Sequence, residues 1–404
     1  MAKSISLLLV VGLAACSAAR EPQTRTYDVS IRTAPAEIYT AHQGRYWSAD
    51  DGEARAHSET ENLTWLFHVV FESKEDAPLR IESAEGSFRK GGNELWRETY
   101  SRPYLERLEW IEGAFDTTTE YFLKNIVFED NHMVSREIPA GPDLPPGSAV
   151  SWVRIPVGKP WFALADEALM RFEISDAEGS RGILEHRVPL VAYEQKVKLR
   201  LPFSGWWAIH AGNDLSTGHR RTGINALTMY GWDILKLGPD GSPYRTDGLT
   251  PRDYYVYGEP VLAAADGVVV DMRDDIEEYG IGETPPQEVL ERDGDVWAGN
   301  LVTIDHGNGE YSFTTHMKPG TIPVKVGDRV EAGQRIGLVG NSGVAQLPHI
   351  HFNLMNGPKW LEAKGMPSLF YGFERLRTGG APLAIEKGNP VTGWIVRPIT
   401  GDRP

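Results

Sequence analysis

A chain of 404 residues with 41% hydrophobic and 24% charged side chains is globular in composition and too long for one ordinary core, so two domains are expected. Its formal charge of -15, sequence pI near 5.3 and lack of any long basic run argue against a nucleic-acid partner, because that binding rests on neutralising phosphates. The same charge gives no attraction to anionic lipid, so membrane attachment requires a covalent or apolar device.

The N-terminus supplies one. Behind Met1-Ala2-Lys3, residues Ile5 to Ala14 form an apolar run. It is too short for a span, which needs roughly 20 residues, but has the three-part form of a secretory signal. The small residues Leu13-Ala14-Ala15 precede Cys16, the only cysteine. This resembles the lipobox of bacterial lipoproteins, which implies a signal peptide over 1–15 and a lipid on Cys16. The mature chain is then anchored in the cell envelope, on the periplasmic face of the outer membrane in a Gram-negative host. It contains no disulfide, so packed cores must stabilise it.

Residues 16–26 are small and polar and read as a lipidated tether. From Tyr27 the pattern has period two. Leu63, Trp65, Phe67, Val69 and Phe71 form one apolar face. Met170, Phe172 and Ile174 alternate with Arg171, Glu173 and Ser175, and Val197, Leu199 and Leu201 with Lys196, Lys198 and Arg200. Glycine and proline clusters interrupt these runs, and no long helical period appears. Residues 27–200 are therefore expected to form an antiparallel, immunoglobulin-like β-sandwich of unknown ligand. Its histidines (His42, His57, His68, His132, His186) are scattered, as surface or core histidines are.

The other six histidines lie between His210 and His351. In PHIHFNLM, Pro348 to Met355, a strand puts His349, His351 and Asn353 on one face and Ile350, Phe352 and Leu354 on the other. Imidazoles about 6.5–7 Å apart at their α-carbons can converge on one site without both binding one metal. In the stretch Asn300 to Gly320, Asn308-Gly309 signals a two-residue hairpin turn. On the returning strand, alternation puts His316 with Ser312 and Thr314 on a polar face. In TMYGWDILKL, Asp233 lies opposite Tyr230, Trp232 and Ile234, beside Gly231, which leaves room near the carboxylate. Two histidines and a carboxylate can hold a tetrahedral zinc and leave one position for water. No HExxH helix is present, so a zincin arrangement is excluded.

From about 201 to 356 the chain resembles the M23 (LytM/lysostaphin-like) metallopeptidases. The matching pieces are GHRR…MYGWDI, YGEPVLAAADGVVV, GNLVTIDHGNGEYSFTTHMKPG, VKVGDRVEAGQRIGLVGNSG and PHIHFNLM, in that order. The resemblance implies an all-β metallopeptidase domain over 201–404 with an open groove. It also implies Zn2+ held by His219, Asp233 and His351, and His316 and His349 as non-ligand catalytic histidines, with His349 as the expected base. The substrate implied is the stem or cross-link peptide of peptidoglycan. His219 stands unusually far ahead of Asp233, which leaves His210 as a competing first ligand; His219 is preferred because LPFSGWWAIH reads as an entering strand. A non-catalytic regulator or activator of another wall hydrolase is the alternative. VKVGDRVEAGQRIGLVG also resembles the hairpins of biotinyl and lipoyl carriers, but no lysine sits at the required turn. Finally, Asp274 to Trp297 is an acidic insertion that reads either as a solvated loop or as a lid anchored by Tyr279 and Trp297, with Gly280 and Gly282 as pivots.

Overall fold

The structure, a computed structural model, describes residues 24–34, 38–40, 46–48, 55–57, 64–106, 142–146, 149–158, 165–213, 219 and 228–399. The leader, Cys16 and most of the tether lie outside these residues.

The architecture is all-β, as expected. In the first half, strands Val29–Ala34, Thr64–Ser73 and Ala149–Gly158 make a three-stranded antiparallel sheet, in that order. A six-stranded sheet runs Ile38–Thr40, Arg181–Ala192, Glu167–Ser175, Leu79–Lys90, Asn93–Ser101, with Asp143–Leu144 also paired to Leu79–Lys90. Its Arg181–Ala192 and Ile38–Thr40 strands are parallel. The sheets share one core. Val69 and Phe71 from the first meet Ile81, Met170, Phe172 and Ile174 from the second. The Phe71 and Phe172 rings stand edge to face, 5.0 Å apart. The predicted alternation holds: Met170, Phe172 and Ile174 are fully buried, while Arg171 and Glu173 pair with Glu185 and Arg181 on the opposite face.

The second half is organised by an eleven-stranded sheet. Its order is Arg329–Val330, Gly267–Arg273, Asn300–Asp305, Tyr311–Met317, Ile350–Met355, Trp232–Leu235, Trp207–Ala211, Ile395–Pro398, Phe370–Arg375, Leu383–Gly388, with Gly365–Met366 also on Ile350–Met355. One face carries the main core, including Trp232, Ile234, Val302, Ile304, Ile350, Phe352, Leu354 and Phe370. Full burial of aliphatic or aromatic side chains such as Ile350, Phe352 and Leu354 stabilises by roughly 1.5–3 kcal/mol each. Val197, Leu199 and Leu201 pack onto this core although their segment forms no regular strand, only a bridge from Leu199 to Phe370.

The other face of the same sheet carries Phe313 and Met355, and on them the acidic insertion is packed. Its Ile276, Leu290, Val296 and Trp297 are buried with Leu301 and Trp360. It contains the one-and-a-half-turn helix Gln287–Arg292 and the 3-10 turn Gly294–Trp297. The segment combines an exposed acidic outside with an apolar underside packed on the sheet. This underside fixes it to the sheet as a wall, with Trp297 among the buried side chains. The predicted turn forms too: Glu310 N–H donates to Gly307 O across Asn308 and Gly309, both left-handed at φ 58° and 74°.

Candidate metal centre

Strand pairing brings the first two site residues together. Asp233 stands directly opposite His351 on the neighbouring strand, and His351 opposite Thr315 on the next. Residues in register across antiparallel strands share a face. The main core holds Trp232, Ile234, Ile350 and Phe352, so Asp233 and His351 must project from the other side. His351 Nδ1 lies 2.9 Å from Asp233 Oδ1. Gly231 admits the ring: a Cβ there would sit 3.0 Å from His351 Cε1. The space attributed to Asp233 in the sequence is occupied by His351.

His219 joins them, with its Nε2 3.3 Å from Asp233 Oδ2. The segments on either side of His219 lie outside the described residues. Ligand atoms of His219, Asp233 and His351 all fall within 4.8 Å of one another. Ligands of a tetrahedral zinc at about 2.0–2.2 Å stand roughly 3.3 Å apart, so the spacing suits such an ion. His210, on the Trp207–Ala211 strand, is exposed and is not in the group.

Proton bookkeeping gives an independent test of fit. His351 Nε2 lies 3.1 Å from Asn353 Oδ1, while its Nδ1 faces a carboxylate oxygen. Both partners accept, and a neutral imidazole has one proton. A metal ion between Nδ1 and Asp233 suits both acceptors, with the ring proton then on Nε2 and donated to Asn353 Oδ1. Asn353 would then fix the tautomer as an outer-shell partner. Burial draws the His219 pKa down to about 4 against the pull of Asp233, which keeps its ring neutral, as a ligand must be. Burial alone would raise Asp233, but His219 and His349 beside it hold its carboxyl well below the usual range.

The two remaining histidines stand against this group. His349 Nδ1–H donates to Leu347 O at 2.7 Å, and its Nε2 faces Asp233 Oδ1 at 3.3 Å. Burial pulls its pKa down, but Asp233 outweighs that and raises it. His316 Nδ1–H donates to Ser342 O at 2.9 Å, so the lone pair of the neutral ring lies on Nε2. Burial, with His349 and His351 nearby, holds its pKa well below the ordinary value. The His316 ring centroid lies 4.8 Å from that of His349 and 6.0 Å from that of His351.

His316 reaches this place by a route that alternation does not predict. Ser312 and Thr314 pair with Leu354 and Phe352, so they lie on the core face and are almost fully buried. Strict alternation would put His316 there as well. Instead the ladder slips: Asn300 pairs with Met317 and Val302 with Thr314, so Thr315 and His316 together oppose Leu301. This bulge adds one residue, and His316 takes a left-handed φ of 64°. The ring turns to the site face, and Met317 takes the core position instead, fully buried. A left-handed non-glycine residue costs about 1–3 kcal/mol and is found where surrounding structure enforces it. The predicted polar face shared with Ser312 and Thr314 is therefore corrected.

Residues 253–363 match the family model for Peptidase family M23. That match includes His316, His349 and His351 but stops short of His219 and Asp233, which rest on geometry. Over 98 residues the chain is 37% identical to the peptidoglycan DD-endopeptidase ShyA of Vibrio cholerae serotype O1, covering 24% of this chain and 18% of that protein. Over 133 residues it is 29% identical to the cell division protein DipM of Caulobacter vibrioides, covering 33% of this chain and 18% of that one. The chain thus spans under a fifth of each relative's length. Among solved structures, the catalytic domain of lysostaphin from Staphylococcus simulans is 25% identical at a TM-score of 0.20, covering 30% of this chain and 85% of that one. A zinc-containing peptidase from Vibrio cholerae is 13% identical at a TM-score of 0.26, covering 80% and 84%. Within its second half, residues 253–363 of the chain thus carry the sequence pattern of peptidase family M23.

Proposed function

We propose that the chain is a zinc-dependent endopeptidase that cuts peptide bonds in the stem or cross-link peptides of peptidoglycan. One observation carries the reading: His219, Asp233 and His351 converge beside two further histidines, His316 and His349, whose Nδ1 atoms are each held by a backbone carbonyl and whose rings lie 4.8 Å apart. The relative named as a peptidoglycan endopeptidase supports the substrate class.

When bound, zinc supplies a water of near-neutral pKa and polarises the scissile carbonyl. His219, Asp233 and His351 hold the ion. His316 and His349, each with Nδ1–H committed to a backbone carbonyl, present Nε2 to take a proton or, once protonated, to donate to developing negative charge. The main core backs the sheet behind the site, and Trp297 and Trp360 pack with Phe313 on the site's own face of the sheet. Attachment to the envelope through a lipid on Cys16 belongs to the same proposal. Cys16→Ala is expected to release the protein from membranes, and a variant still membrane-bound at unchanged mass defeats it.

The test combines zinc content with the masses released from purified peptidoglycan. His219→Ala, Asp233→Ala and His351→Ala are expected to lose most zinc, and His210→Ala to keep it. His316→Ala and His349→Ala are expected to keep zinc and to lose hydrolysis by ~100 to 10,000-fold. Zinc loss only in His210→Ala overturns the ligand set. A wild-type protein that binds zinc and releases nothing favours the regulator of another hydrolase.

A further inference from the structure

We infer that Asn300 and Ser342 are positioning residues that hold His316 in its left-handed conformation and fix its tautomer. The inference rests on the hydrolytic reading above only for its effect on rate.

The bulge leaves the backbone around His316 without its regular ladder partners, and two fully buried side chains provide replacements. Ser342 Oγ donates to Met317 O at 2.8 Å and accepts from Asn300 N–H at 2.9 Å. Asn300 Nδ2 donates to the same Met317 O at 3.0 Å and to Ile276 O at 2.8 Å, while Asn300 Oδ1 accepts from Ile276 N–H. The His316 carbonyl accepts from Gly340 N–H. Peptide planes on both sides of the bulge are thereby fixed, and Ser342 O takes the Nδ1–H of the ring itself. Ser342 therefore acts twice, by hydroxyl on the backbone and by carbonyl on the imidazole.

Close packing keeps this clasp from relaxing. A Cβ on Gly299 would fall 2.4 Å from Ser342 O, and one on Gly343 would fall 2.4 Å from Gly299 N. Both glycines are left-handed, at φ 70° and 71°. Asn300 and Ser342 are each fully buried. Without the clasp, residue 316 is free to return to extended backbone, which carries its side chain toward the core face and away from His349. The geometry needs a small hydroxyl side chain at 342 and both donor and acceptor at 300.

The experiment uses the full chain, with the metal-free protein labelled at histidine nitrogens for NMR. Wild-type His316 is expected to show a single tautomer, protonated at Nδ1. In metal-free Ser342→Ala the His316 resonances should report mixed tautomers, while the separately zinc-loaded variant should bind as much zinc as wild type. On peptidoglycan, kcat is expected to fall about 10- to 100-fold with KM within about twofold, because the residue orients a proton-transfer group and touches no substrate. Ser342→Cys keeps the size with a weaker donor and should fall between the two; it stands in if the alanine variant does not fold. A single Nδ1–H tautomer together with unchanged kcat in the variant overturns the inference. If wild-type protein has no hydrolytic activity, the functional reading fails while the tautomer measurement still decides the clasp.

Discussion

His316 is under two demands that oppose each other. Its backbone conformation suits glycine, and its place beside His349 needs an imidazole. The conflict is measurable. In a zinc-free protein, His316→Gly is expected to be more stable than His316→Ala by about 1 kcal/mol, the reverse of the usual ranking in a strand, because only glycine enters φ 64° without a steric penalty. Urea unfolding decides it, and an alanine variant equal to or better than glycine removes the strain from the argument. The identity of His316 was legible from its motif, but its face was not. Alternation is a rule about unbroken strands, and no proline or glycine inside YSFTTHM marks the slip. His349 and His351 were fully legible, because their strand keeps its period and its alternate residues fill the core. Asn353 was placed on the right face without its contact to His351 being apparent, since that contact depends on rotamers.

At the level of the element, the acidic insertion was the least legible part. Its carboxylates and paired prolines read as solvated, and its buried residues, Ile276, Leu290, Val296 and Trp297, follow neither a helical nor a strand period. Irregular spacing hides a buried underside from any periodicity argument. Many carboxylates have fixed partners: Asp275 and Asp293 both bind Arg273, and Glu278 accepts from Tyr257 Oη and from Asn341 N–H. Tyr279 and Asn341 exchange further bonds, so the insertion supports the loop whose Ser342 carbonyl holds His316. A wall and a lid make opposite predictions. Replacing residues 275–294 with a short Gly/Ser link is expected to lower both stability and hydrolysis, and Leu290→Ala alone to cost about 2–5 kcal/mol. Raised hydrolysis at unchanged stability after the replacement would restore the lid.

Across the whole molecule, the two cores are joined by specific contacts between folding units. Tyr230, three residues before Asp233, is buried in the core of the first sandwich, and Val70 of that sandwich is buried against the insertion. Between the cores runs the segment after Ala192, and one buried carboxylate holds it. Glu310, at the end of the hairpin turn, accepts from Tyr193 Oη at 2.6 Å, Lys196 N–H at 2.7 Å and Val197 N–H at 2.6 Å. Charge-assisted bonds to an ionised acceptor are the stronger kind, and three on a side chain 1% exposed leave it no need of water. Nothing in the sequence marks this contact, since Glu310 simply follows the Asn308-Gly309 turn signal. Glu310→Gln keeps the shape but replaces an acceptor with an N–H that faces other donors. It is expected to cost about 1–3 kcal/mol and to expose the segment between the cores. Limited proteolysis is the measurement: cleavage between residues 192 and 199 should quicken well before either core is cut. If wild type and Glu310→Gln are cut at the same rate and place, Glu310 does not hold the two halves together, and the apolar contacts of Tyr230 and Val70 must do so alone.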